Sequence, residues 1–248
     1  MDGKGDAAED FRAVEDARAR SLPIGARNYR SYVGPPDEYD VMGATQFCLL
    51  TALGLREWHS VLDVGCGSLR LGRLLIPYLE AGNFSGLEPN RWLVDDAIAR
   101  HVGTELASLK SPQFFWHDDF DLVRCGDQFD FIIAQSILSH CSSDLVQRIF
   151  AQTQRVISDN GIFVFTAIDE NSAFGGHVDG NIATGWVYPE CTRFTYEGLM
   201  AMAAEYDLQL VPLPWFHARQ SWYAAAKSAT IDESQLRSWE PGVFQPRG

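Results

Sequence analysis

Basic residues are scarce in this chain: 20 lysines and arginines stand against 33 aspartates and glutamates, a formal net charge of −13. A broad nucleic-acid interface needs a basic footprint to neutralise phosphates, so no nucleic-acid partner is expected. Cysteine is also sparse: five residues, an odd number, with no C-x-x-C pair. That argues against a disulfide framework and a structural zinc site, and points to reduced thiols. No apolar run approaches the roughly 18 residues of a membrane span. The start, Met1-Asp-Gly-Lys-Gly-Asp6, lacks the apolar segment of a signal peptide. A cytoplasmic location and no membrane partner are the expectations; the oligomeric state is not read from the sequence.

What the chain has in plenty is apolar residues, 46% of 248, enough for a large core in one domain of moderate size. The most informative stretch is Val61-Leu-Asp-Val-Gly-Cys-Gly-Ser-Leu-Arg70, followed by Leu71-Gly-Arg-Leu-Leu-Ile-Pro-Tyr-Leu79. An apolar run breaks at Gly65 and Gly67, then Leu71, Leu74, Leu75 and Leu79 recur on one helical face. The pattern predicts strand, tight turn, helix. The glycines let backbone approach a ligand, the helix start offers unpaired N–H groups, and Asp63 adds a fixed negative charge.

A dinucleotide fingerprint would read G-x-G-x-x-G, but here the sixth position is Arg70. An acid two places before the first glycine, Asp63-Val-Gly65-Cys66-Gly67, instead resembles motif I of class I S-adenosylmethionine-dependent methyltransferases. The family's usual (D/E)-x-G-x-G-x-G ends in a third glycine where this chain has Leu69.

Further strands follow at regular intervals. Phe84–Glu88 reads as the second, closed by Glu88, where an acid can accept hydrogen bonds from a ribose. A helix from Pro89-Asn90 to about Val102 comes next. Gln113–Asp121 gives a third strand ending in Asp118 and Asp119, with Phe120 beside them. Three successive strands ending in acids is the strongest pattern in the sequence. The resemblance assigns Glu88 to the ribose, Asp118 or Asp119 to the adenine amino group and Phe120 to its ring. A fourth strand, Asp130–Ala134, leads to Gln135 and Ser136; a helix over Leu145–Ile157 and a fifth strand, Ile162–Ile168, follow. A helix over 195–206 and strands at Leu208–Leu213 and Ser221–Ala226 finish the domain. The fold expected is α/β, a Rossmann-like doubly wound sheet. The resemblance makes it seven-stranded with the last strand antiparallel.

The organisation expected is an N-terminal helical and lid extension over 1–57, a cofactor-binding domain over 58–227 and a tail over 228–248. Residues 169–194 form a substrate-side loop within the domain. The lid is read from the tyrosine-rich, proline-broken stretch 28–40; before it lies a loosely docked helix over 1–20, and after it a helix from Met42 to Leu55. The cofactor expected is S-adenosyl-L-methionine, held by Asp63, Gly65, Cys66, Gly67, Arg70, Glu88, Pro89, Asp118, Asp119, Phe120, Gln135 and Ser136. No metal is expected: a catechol-type metal site needs an Asp after the fourth strand, where Gln135 stands, and the region after the fifth reads Asp169-Glu-Asn171.

Four of the six histidines follow the carboxyl ends of strands, where open α/β sheets bind ligands. His140 is the first candidate for a general base, then His177, then His217; His117 is the fourth of the set. Tyr32, Tyr39, Trp186 and Tyr188 are candidates to hold the acceptor. The function expected is methyl transfer to O, N or S of a small, aromatic or apolar acceptor. The rivals are a nicotinamide-dependent oxidoreductase and a non-catalytic nucleoside-binding partner protein.

Overall fold

The computed structural model describes residues 17–172 and 177–227. The helix expected at the very N-terminus and the tail from 228 fall largely or wholly outside them. Nine strands are described: β1 (Val61–Val64), β2 (Phe84–Leu87), β3 (Gln113–Phe115), β4 (Phe129–Ala134), β5 (Ile157–Ala167), β6 (His177–Asp179), β7 (Cys191–Arg193), β8 (Gln209–Leu213) and β9 (Ser221–Ala226). Seven of them form one sheet in the order β3-β2-β1-β4-β5-β9-β8, while β6 and β7 pair separately in parallel. β1 to β5 run parallel. β9 is antiparallel to both of its neighbours, so β8 points the same way as β5.

Side chains alternate between the two faces of a strand, and here both faces are buried. Ile132, Ala134, Phe163, Phe165, Tyr223 and Ala225 enter one core. Phe131, Ile133, Val164, Trp222 and Ala224 enter the other. Helices α5 (Ser143–Val156) and α6 (Tyr196–Ala204) send Val146, Ile149, Phe150, Leu199 and Met202 into the first. α1 (Tyr39–Ala52), α2 (Gly72–Tyr78) and α3 (Arg91–Ala97) cover the second through Leu49, Leu50, Leu75, Ile76 and Val94. Gly43 on α1 makes this possible at one point: a Cβ there would lie 2.5 Å from the Arg70 carbonyl oxygen.

Several boundaries differ from the sequence reading. The third strand stops at Phe115, so Asp118 and Asp119 sit in the turn beyond it. The helix after β2 changes at Ile98 to a π-helical turn, Ile98–Val102, and a separate α4 (Thr104–Lys110) follows, which periodicity did not reveal because none of its residues is buried. β5 begins five residues early, at Ile157, across the Asn160-Gly161 pair that reads as a turn. The segment after β5 is not structureless, because β6 and β7 brace it.

Leu69 resolves the family departure. It occupies the left-handed region, φ +54°, so the turn keeps a glycine-like conformation without the glycine. The position costs an L-residue roughly 1–2 kcal/mol. It is tolerated because the Leu69 side chain is fully buried, and deleting such a side chain costs about 2–5 kcal/mol. Leu69→Gly is therefore expected to lower the unfolding free energy by about 1–4 kcal/mol in urea titration. A stabilised variant would mean that backbone strain outweighs the packing.

Candidate active site

The strand order reverses between β1 and β4, and the crevice beyond their carboxyl ends is where a doubly wound sheet takes a ligand. The turn from Gly65 to Arg70 forms its floor and is tied on three sides. The Gly67 N–H donates to Glu88 Oε2 at 3.1 Å. The other oxygen of Glu88 accepts from the Asn90 backbone N–H at 2.8 Å and side-chain amide at 2.9 Å. On the outer side, the Tyr39 hydroxyl donates to the Ser68 carbonyl at 2.8 Å, and the Ser68 hydroxyl donates to the Tyr29 carbonyl. Arg70 reaches across, donating to the Val33 carbonyl at 3.1 Å and to Gln135 Oε1 at 2.7 Å.

A cavity of about 680 Å³ opens above this turn, within the size range of small-molecule sites. It is lined by Gly65, Gly67, Glu88, Pro89, Asp118 and Phe120 and also by Ile137, His140, Trp186, Tyr188, Cys191 and Gln220. Tyr32, Val33, Gly34 and Pro35 of the N-terminal segment also line it. That segment is fastened by Arg30 and Arg73 to Asp40, at 2.8 and 2.6 Å, and by a two-pronged Arg219–Glu38 pair at 2.7 and 2.6 Å. Within the stretch 28–40, Tyr32 to Pro35 line the cavity, while Tyr39 and the Tyr29 carbonyl brace the turn from behind.

Of the expected cofactor residues, Gly65, Gly67, Arg70, Glu88, Pro89, Asp118, Phe120, Gln135 and Ser136 line this cavity. Asp63 and Cys66 do not. They border a smaller adjoining space under the turn, where burial pushes the Asp63 carboxyl up to about 7, Arg70 opposing and Glu88 reinforcing the shift. Asp119 is exposed and committed to His117 at 2.7 Å and Arg124 at 3.3 Å. Its neighbour Asp118 is the one brought to the cavity. Gly65 needs a further correction: a Cβ there would lie 2.1 Å from Ile137 Cδ1, so the glycine first makes room for that side chain. Of the expected acceptor contacts, Tyr32, Trp186 and Tyr188 line the cavity, whereas Tyr39 is fully buried outside it.

The histidines separate clearly. His140 lines the cavity within an aromatic cluster, its ring 5.5 Å from Trp186 and 5.1 Å from Tyr188. Its Nδ1 lies 2.7 Å from the Glu190 carbonyl oxygen, which fixes that nitrogen as the donor and leaves the lone pair on Nε2. Burial lowers its pKa from the ordinary imidazole value, and the Glu190 carbonyl only partly offsets this, so the ring is neutral at pH 7. His217 stays out of the cavity lining. Its Nδ1 accepts the backbone N–H groups of Arg219 and Gln220, both at 3.1 Å, and burial beside Arg219 and Arg70 pulls it down to about 3. His177 also stays out of the lining, with Nε2 3.2 Å from the Arg193 guanidinium.

Arg219 and Gln220 line the cavity and escaped the sequence reading, which looked only after parallel strands. They precede β9, and an antiparallel strand starts at the edge where parallel strands end: Ser221 pairs with Ala167, the last residue of β5. The expected antiparallel last strand was the signal that points to them.

The donor set suits an adenosyl sulfonium cofactor: a buried carboxylate, Glu88, follows β2, Asp118 follows β3, and apolar Leu87, Leu93 and Phe120 line the same cavity. Comparison with known proteins agrees. Residues 62–163 match a family model described as a methyltransferase domain. Among solved structures, the magnesium protoporphyrin IX methyltransferase of Synechocystis PCC 6803, determined with bound S-adenosylmethionine, superposes with a TM-score of 0.58 at 13% identity, covering 92% of this chain and 98% of that one. The PH0226 protein of Pyrococcus horikoshii OT3 gives 0.59 at 17% identity, with 86% and 99% covered. DesVI of Streptomyces venezuelae gives 0.55 at 15%, with 79% and 95% covered. At such identities the structures speak for the fold, and the family match speaks for the chemistry. Residues 62–163 match a methyltransferase domain, and the sheet built around them has the fold of S-adenosylmethionine-dependent methyltransferases.

Proposed function

We propose that this methyltransferase acts on a small aromatic or apolar acceptor, methylating an oxygen, nitrogen or sulfur atom, with His140 as general base. One observation carries the reading: His140 sits in an aromatic wall of the same cavity that Glu88 and Asp118 line. The reading gives the cavity a donor half around Glu88 and Asp118 and an acceptor half around His140. In the donor half, Glu88 would accept from the ribose hydroxyls and Asp118 from the adenine amino group. Bound there, S-adenosylmethionine supplies a methyl group already activated by its sulfonium charge. The protein's remaining tasks are to align the acceptor, exclude water and remove a proton.

Trp186 and Tyr188, stacked at 6.5 Å between ring centres with 26° between planes, form a surface for a flat acceptor. The Glu190 carbonyl holds the His140 ring in the tautomer that can take a proton. The Tyr32–Pro35 stretch roofs the cavity. The family match favours methyl transfer over hydride transfer, and Arg70, tied to Val33 and Gln135, leaves no third glycine of a dinucleotide turn.

Two outcomes test the assignment. Removing a charged hydrogen-bond acceptor typically costs about 1.5–3 kcal/mol, so Glu88→Ala is expected to weaken binding of the demethylated cofactor roughly 10-fold or more in calorimetry. Unchanged affinity would place the ribose elsewhere. With labelled donor and a panel of phenols, aryl amines and thiols, His140→Ala is expected to cut turnover of an oxygen acceptor roughly 10²–10⁴-fold. The neutral imidazole is the working form and burial lowers its pKa. The wild-type rate should therefore hold as pH falls to the ordinary imidazole value of about 6.5 and drop only below it. The variant should lack that limb. A limb that survives in His140→Ala would remove His140 from the proton transfer.

A further inference from the structure

Arg70 brings a guanidinium to the cavity and meets only neutral acceptors there. Its Nη1 donates to the Val33 carbonyl at 3.1 Å and its Nη2 to Gln135 Oε1 at 2.7 Å. Val33 and Gln135 line the cavity with it, and Arg70 is half-buried rather than covered. Among the described residues no carboxylate forms an ion pair with Arg70. Glu38 is gripped by two nitrogens of Arg219, and Asp63 acts on Arg70 only at a distance. A guanidinium keeps its charge, and burial works against that charge here. Charges taken out of water are seldom left without a counter-charge.

The same contacts are one acceptor short at their other end. His217 Nδ1 receives the backbone N–H groups of Arg219 and Gln220, so the ring proton is on Nε2. Facing Nε2 at 3.1 Å is the Gln135 amide nitrogen, which is also a donor. Turning the amide over would give His217 the oxygen and set the NH2 group against Arg70 instead. Arg70 and His217 thus compete for one oxygen, Gln135 Oε1, and the cation holds it. The amide nitrogen keeps a 3.3 Å contact to Ser136 Oγ. An anion at Arg70 resolves both shortages, because it accepts from the guanidinium and from the turned NH2 and leaves the oxygen to His217.

We infer that Arg70 receives the carboxylate at the amino-acid end of S-adenosylmethionine, and that Gln135 then turns its amide, giving an N–H to that carboxylate and its oxygen to His217. This rests on the donor half drawn around Glu88. Arg70 belongs to that half because it ends the Gly65–Arg70 turn, whose Gly67 N–H is bound to Glu88. The consequence is a link. His217 stays out of the cavity lining and is fastened to the turn that carries Arg219, so that turn senses whether the cofactor's carboxylate is in place.

The test reads binding and spectra, not turnover. Calorimetry compares S-adenosylhomocysteine with its decarboxylated analogue, which keeps the adenosine, the sulfur and the amino group. The wild type is expected to bind S-adenosylhomocysteine about 10-fold or more tighter than the analogue. Arg70→Met should erase the difference by weakening S-adenosylhomocysteine alone; a general loss of structure would weaken the analogue too. Gln135→Glu, whose two oxygens serve Arg70 and His217 together, should shrink the difference and raise the melting temperature of the ligand-free protein. In protein with isotope-labelled histidine, S-adenosylhomocysteine should move the His217 ring signals, identified by their loss in His217→Phe, and the analogue should leave them in place. Equal binding of the two ligands by the wild type, or an undiminished preference in either variant, would overturn the role of Arg70. His217 signals that respond alike to both ligands would overturn the turning amide. A preference that survives in Arg70→Met while naphthoate binding is lost would hand the guanidinium to the acceptor. If neither nucleoside binds, the donor-half reading itself falls.

Discussion

A single peptide N–H organises the cavity. The Gly67 amide, just past the end of β1, is held by the Glu88 carboxylate at the end of β2, so neighbouring parallel strands are locked together at the edge where the ligand sits. The same carboxylate takes two further donors from Asn90 and thereby fixes the entry to α3. Glu88 is thus spent on structure with part of its hydrogen-bonding capacity and lines the cavity with the remainder. A residue holding both the turn and the cavity wall leaves little freedom to either. The strap behind the turn completes the arrangement, since Tyr39, Tyr29 and Arg70 close the side that Glu88 does not reach.

Much of this was legible in the residues. The apolar runs of β1, β4 and β5 and the break at Gly65 and Gly67 placed the sheet, the turn and the ligand edge, because burial on both faces writes continuous apolar strands. Acids at strand ends pointed to Glu88 and to the Asp118–Asp119 pair by position. The choice between Asp118 and Asp119 was not legible: adjacent residues in a turn point apart, and the local pairing of Asp119 with His117 and Arg124 decides it. Nor could adjacency to a strand rank the histidines. His217 is consumed by two backbone N–H groups and His140 by one carbonyl, and only the second arrangement leaves a basic nitrogen available. Tyr39 misled because interleaved tyrosines look alike in sequence whether they face a ligand or a buried carbonyl.

Leu69 shows how far a motif and a conformation can part. The backbone keeps the left-handed turn while the side chain fills a core that a glycine would leave empty.

The Glu38–Arg219 pair joins residues 181 positions apart in the chain. Arg219 stands just before β9, which lies between β5 and β8 in the sheet. Contacts of such separation carry the largest loop-closure cost and are late events in folding. The glycine turn, Glu88 and even His140 are thus present in the growing chain before Arg219 and Gln220, the last residues to line the cavity. A chain that has finished synthesis only as far as α6 would hold much of the chemistry and not the enclosure, and ligand binding serves as a sign that the last strand is home.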